Sequence, residues 1–206
     1  MGAVTDPAPQ SDRHAATSVP LHPLLAQRWS PRALDPTAEV GEDQLRALFE
    51  AARWAPSWGN TQPARFLVGR RGDATFQCIH DTLVPGNQAW AAASGALVLG
   101  VAATHDHAGD PLPYAEYGLA LATQNLVVQA MAEGLFTHQM AGFDQEAARK
   151  VFELPEGFQP LVVVAVGTLA EPGAAPAELV ERDARPRSRK PLSELVFGPG
   201  WGVPAF

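Results

Sequence analysis

Residues 114–135, YAEYGLALATQNLVVQAMAEGL, place apolar side chains all round a helix and leave no polar stripe to face water. Such a helix needs other elements on every side, so this segment is expected at the centre of the fold, ending at Gly134. SGALVLGVAAT (94–104) is a nearly unbroken apolar run of strand length, and QPLVVVAVGTLA (159–170) reads as the strongest strand in the chain. Unbroken strands imply a sheet covered on both faces. ARFLVG (64–69) reads as another strand.

The covering helices are also legible. In GEDQLRALFEAARWAP (41–56), Leu45, Leu48, Phe49 and Ala52 recur at helical spacing, and Pro56 enforces the stop. DQEAARKVFELP (144–155) has Asp144 as N-cap and Pro155 as breaker. LHPLLAQRWS (21–30) reads as a short helix carrying Leu21, Leu24 and Leu25. ATFQCIHDTL (74–83) is a short amphipathic helix with Cys78 as a buried small hydrophobe. With 206 residues and no internal repeat or linker, the chain reads as one α+β domain over residues 21–206. Residues 1–20 are polar and aperiodic and read as a disordered leader. From about residue 174 to 206 the tail is Pro- and Arg-rich, an extended arm whose Phe197, Trp201 and Phe206 need a surface to pack on, such as a second subunit.

Composition excludes several functions. A net charge of −7 argues against a nucleic-acid or membrane-surface binder. One cysteine excludes an internal disulfide and a thiolate metal site. No run approaches the ~18 apolar residues of a membrane span, and the N-terminus lacks a signal-peptide pattern, so a cytoplasmic protein is expected. Neither a P-loop nor a Rossmann glycine fingerprint is present. His105 and His107 lack the spacing and third ligand of a zinc site, so no metal is expected. No nucleophile elbow or Cys/His pair supports a hydrolase, and His138 reads as a polar strand-end residue.

Four segments remain. RWSPR (28–32) offers two guanidiniums and a hydroxyl, and RPRSR (185–189) offers three more guanidiniums and a second hydroxyl. APSWGNTQP (55–63) offers backbone N–H groups, Ser57, Asn60 and Gln62, and QMAGF (139–143) offers backbone N–H groups at a strand-to-helix turn. Lysine is almost absent, so nearly all the positive charge is arginine, and two arginine clusters lie near the two ends of an acidic chain.

In this order the segments resemble the nitroreductase-like family of FMN-dependent oxidoreductases. Arg28, Ser30 and Arg32 match its basic R-x-S-x-R/K motif; AARWAPSWGNTQPARF matches its A-P-S and N-x-Q-P-W-x-F run; AMAEGL and RSRKPL match its later elements. The resemblance spans about residues 22–197 and implies a central, mostly antiparallel sheet flanked by helices, with a C-terminal arm wrapping a homodimer partner. It implies FMN as cofactor, with Arg28, Ser30, Arg187 and Arg189 at its phosphate end, Arg32 beside the pyrimidine edge of the ring, and Trp29 among the cofactor-binding residues. Guanidiniums bind such a dianion bidentately, with hydroxyls completing the shell. Pro56, Ser57, Trp58, Asn60 and Gln62 are implied along the ring edge and ribityl chain, and Met140, Ala141 and Gly142 at the turn whose backbone N–H, from Ala141 or Gly142, reaches flavin N5. Arg187 and Arg189 serve either their own or the partner's flavin.

The implied reaction is ping-pong hydride transfer from NADH or NADPH to a nitroaromatic, quinone or similar acceptor, with no side-chain acid required. A flavin oxidase or desaturase of a specialised metabolite, and an FMN-binding protein that does not turn over, share every motif. Two departures bear on specificity: Ala141 stands where many members carry an acid, and Ala64 where the family usually has Trp, with Trp58 or Trp54 as candidates to replace the bulk.

Overall fold

A computed structural model describes residues 13–206. Seven helices and four strands alternate among them: α1 (Pro23–Gln27), α2 (Glu42–Arg53), β1 (Ala64–Arg70), α3 (Ala74–Thr82), α4 (Pro85–Ala91), β2 (Ala96–Ala103), α5 (Ala115–Ala132), β3 (Phe136–Met140), α6 (Gln145–Val151), β4 (Phe158–Gly167) and α7 (Ala177–Asp183). The strands form one sheet in the order β1-β2-β4-β3, with every neighbouring pair antiparallel.

Both faces of this sheet are covered, which explains the two unbroken apolar runs. Leu97, Leu99 and Val101 of β2 and Val163 and Ala165 of β4 pack into one core with Phe76, Ile79, Trp90 and Ala148 from α3, α4 and α6. The alternate residues Ala96, Val98, Val164 and Val166 pack on the other face against Leu45 and Leu48 of α2 and Ala122, Leu126 and Ala130 of α5. Successive strand side chains point to opposite faces, so both sets must be apolar. At Gly69 a Cβ would lie 2.0 Å from the Phe76 amide nitrogen, so glycine lets α3 seat directly on β1.

The helix ends follow from local chemistry. Gln44 accepts from the Gly41 N–H at 3.0 Å at the start of α2, and Asp144 accepts from the Ala147 N–H at 2.9 Å at the start of α6. Gly134, at φ 72°, takes the left-handed conformation that ends α5. Asn125 of α5 donates to the Ala51 carbonyl at 3.1 Å, tying the two long helices together.

Several sequence expectations are corrected. Helix α5 is not covered all round within one chain: Tyr117 is 65% exposed, and Ala120 and Gln124 are exposed beside it. Cys78 is half-buried rather than buried. Leu21 and Leu25 are exposed, and α1 is limited to five residues. Helix α4 and, within the supposedly extended tail, helix α7 were not expected. Of the segment read as a disordered leader, residues 1–12 lie outside the described residues, whereas Arg13 sits 4.6 Å from the centroid of the Trp29 ring and the Ala15 N–H donates to the Ala26 carbonyl at 2.9 Å.

Candidate functional site

The segment carrying Arg28, Ser30 and Arg32 runs past the end of the sheet. Leu34 bridges Leu169 in antiparallel fashion, and the Asp35 N–H donates to the Thr168 carbonyl at 3.0 Å. His138 of β3 holds the same segment from below through Nδ1 and the Pro31 carbonyl, 2.9 Å apart. A carbonyl only accepts, so Nδ1 carries the proton. Burial and the nearby Arg182 and Arg32 guanidiniums hold this imidazole below its ordinary pKa, against the Pro31 bond.

Residues 28–34 are not helical, so the short helix read over residues 21–30 ends before Arg28. Pro31 biases Ser30 away from helical backbone. The two arginines therefore part. Arg32 stacks over Trp90 at 5.5 Å, with its Nε buried and without a hydrogen-bond partner among the described residues. Arg28 turns into a cavity of about 390 Å³ where the two basic clusters meet. Arg13, Arg28, Arg182, Arg185, Arg187 and Arg189 line it, with Trp29, Ser30 and Ser188 and a single carboxylate, Asp183.

Arg28 donates to the Ser30 hydroxyl at 3.4 Å, so both reach one point in the cavity. Burial, and then the Arg189 charge, lower the Arg28 pKa; burial and the Arg28, Arg189 and Arg13 charges lower that of Arg187. Cations held so close repel one another, and a bound oxyanion relieves that repulsion. Trp29 itself is buried against Phe136 and Met131, so its ring serves mostly as the floor.

Asp183, in the last turn of α7, carries no signal in the sequence. Its Oδ2 accepts from backbone amides about 150 residues away, the N–H groups of Arg32 at 2.7 Å and Ala33 at 2.9 Å, while Oδ1 accepts from the neighbouring Arg182 guanidinium at 2.8 Å.

The second group of expected residues lies elsewhere in the chain. Pro56, Ser57 and Gln62 line a separate cavity of about 200 Å³ with Ala64, Phe66 and Gly118. The loop is built on unusual backbone: Gly59, Asn60 and Gln62 all have positive φ, near 50°. Tyr114, at φ 59°, faces Trp58 with ring centroids 6.5 Å apart. Among the described residues, three of the four non-glycine residues with positive φ thus cluster here, a concentration of strained backbone. Ser57 Oγ accepts from the Gln62 N–H at 2.9 Å and closes the turn. Neither Trp54, 74% exposed, nor Trp58, 56% exposed, fills the volume left by Ala64.

The third group sits at the end of β3. Met140 is buried in the core, while Ala141 is exposed. The Gly142 carbonyl accepts from the Val84 N–H at 3.1 Å and from Asn87 at 3.0 Å, and a Cβ on Gly142 would lie 2.8 Å from the Asn87 amide nitrogen. A side chain there would displace the Asn87 amide from its bond to the Gly142 carbonyl. Among the described residues no group of three His, Cys, Asp or Glu side chains is placed to hold a metal, and no helix is long and apolar enough to cross a membrane.

Comparison with known proteins places this geometry. The chain is 38% identical over 148 residues, 68% of its length and 99% of the relative's, to an uncharacterised 15.4 kDa protein of Mycolicibacterium smegmatis. It is 26% identical over 189 residues, 74% of its length and 90% of the relative's, to YdgI of Bacillus subtilis (strain 168), named by inference as an NAD(P)H nitroreductase. A solved structure described as an oxidoreductase containing FMN superposes with a TM-score of 0.85 at 30% identity, covering 93% of this chain and 98% of that one. The nitroreductase family profile matches residues 25–83 and 74–168, and this chain belongs to that family.

Proposed function

We propose that this protein is an FMN-dependent oxidoreductase, taking hydride from NAD(P)H and delivering it to a nitroaromatic, quinone or similar small acceptor in a ping-pong cycle. The observation that carries this reading is the meeting of the two arginine clusters in one cavity with two serine hydroxyls. That donor set suits a phosphate dianion: forked guanidiniums supply charge and direction, and hydroxyls complete the shell. The FMN in the structural neighbour at 30% identity supports the same cofactor here.

FMN, when bound, supplies the two-electron chemistry. The chain's part is binding, orientation and electrostatics. Arg28, Ser30 and Arg189 hold the phosphate end. Arg32, held apart from them over Trp90, supplies a fixed positive charge towards the ring and favours its reduced form. Ala141 and Gly142 offer backbone N–H groups at the turn after β3, and the Pro56–Gln62 loop offers its strained backbone and amide side chains to the ring edge.

That loop and the arginine cavity occupy separate places in one chain. A homodimer that sets one protomer's loop against its partner's arginines would complete the site. The exposed strip of α5 around Tyr117 and the exposed aromatics of the tail support such a partner.

An anaerobic visible spectrum, recorded before and after adding NADPH or NADH, tests this directly. A flavin spectrum that bleaches and returns when a quinone is added is the expected result. A flavin that neither nucleotide bleaches would favour an oxidase or a carrier, and a protein that takes up no flavin would end the reading.

A further inference from the structure

We infer that Asp183 and Arg187 form a clasp that positions the phosphate-binding segment and that neither residue is itself a phosphate ligand; this rests on the FMN reading above. The Asp183 carboxylate is 6% exposed and accepts from two consecutive backbone N–H groups, those of Arg32 and Ala33. Four residues later Arg187 grips the same segment by its carbonyls. Nη2 donates to the Arg28 carbonyl at 2.8 Å, and Nη1 donates to the carbonyls of Ala26, at 3.3 Å, and Arg13. One short stretch of tail thus presents an acceptor to backbone donors and a donor to backbone acceptors on either side of Pro31.

The consequence is a division of labour among the arginines. Most of Arg187's terminal donors are spent on main chain, whereas Arg28 and Ser30 keep their side chains in the cavity. Among the described residues Arg189 bonds only the neighbouring Ser188 carbonyl, at 2.7 Å, and stays exposed. Arg28 and Arg189 come from opposite ends of the chain, and the clasp fixes their separation before any anion arrives. Pre-set donors lose less freedom on binding than loose ones. The clasp also draws Arg13 into the site, because its carbonyl is one of the three that Arg187 holds.

The test measures FMN affinity of the flavin-free full chain by quenching of flavin fluorescence. Asp183→Asn keeps the volume and one acceptor but loses the charge, and should weaken FMN by about tenfold or more. In an Arg28→Ala background the same substitution should cost less than about threefold, because the ligand it positions has gone. Arg187→Lys should lose nearly as much affinity as Arg187→Ala, since an ammonium cannot fork to three carbonyls. Equal losses from Asp183→Asn in both backgrounds, or an Arg187→Lys variant that binds like wild type, would overturn the clasp alone. A wild-type chain that binds no FMN would overturn the functional reading and the clasp with it.

Discussion

Strand β2 and the C-terminal hairpin are both rich in apolar residues, yet every residue of β2 is buried while Trp201 is 92% exposed and Phe206 77%. The hairpin is nonetheless ordered by its own bonds: Phe197 bridges Pro204, and the Ala205 N–H donates to the Val196 carbonyl at 3.1 Å. The core closes on itself within one chain. The tail holds a shape that buries little of its own aromatic surface. The arginine cavity lies at the border between the two: Arg28 comes from the segment docked on the sheet, and Arg189 from the tail.

The largest effect that separates these regions should come from truncation after Thr168, which spares the sheet but removes α7, the clasp and the hairpin. Size-exclusion chromatography with absorbance detection should find a monomer without flavin; an FMN-loaded dimer would remove the arm from the account. Within the core, Leu126→Ala empties a fully buried position and should cost about 2–5 kcal/mol in urea unfolding. Trp201→Ala should change the stability of the monomer by less than about 0.5 kcal/mol, yet raise the dimer dissociation constant. Comparable losses of folding stability from both substitutions would erase the distinction between core and tail. At the border, Arg28→Ala should weaken FMN by about 1.5–3 kcal/mol, the worth of a charge-assisted bond, as read by equilibrium titration.

The smallest effect is a pH dependence. Burial holds the His138 pKa below its ordinary value, so below about pH 6.5 the unfolded chain takes up a proton that the folded chain resists. Stability should therefore fall as pH drops from about 6.5 through the folded value, and His138→Gln should flatten that slope in thermal melts. An unchanged slope would place the titrating group elsewhere.

Much of the core was legible because its physics is local. The runs 94–104 and 159–170 read as strands, the first suited to a sheet buried on both faces, and Asp144 and Gly134 mark helix ends by their own chemistry. Helix α4 was hidden because PGNQAWA is about two turns long with no periodicity, although its Trp90 is among the most buried side chains. Helix α7 is hidden for the same reason, and Asp183 looks like any surface acid until its two amide partners appear. The convergence of the arginines was legible as charge out of place in an acidic chain. Which of them faces the cavity was not, because that depends on carbonyls that residue identities do not encode.

The central claim is that two distant arginine clusters make one phosphate site. It is tested most directly by titrating the flavin-free protein with FMN and, separately, with riboflavin, which lacks the phosphate. The account expects FMN to bind more tightly by well over about tenfold, and Arg28→Ala to shrink that gap while leaving riboflavin nearly unchanged. Equal affinities for the two flavins would contradict it, because the cavity lined by Arg28, Ser30 and Arg189 would then hold no phosphate.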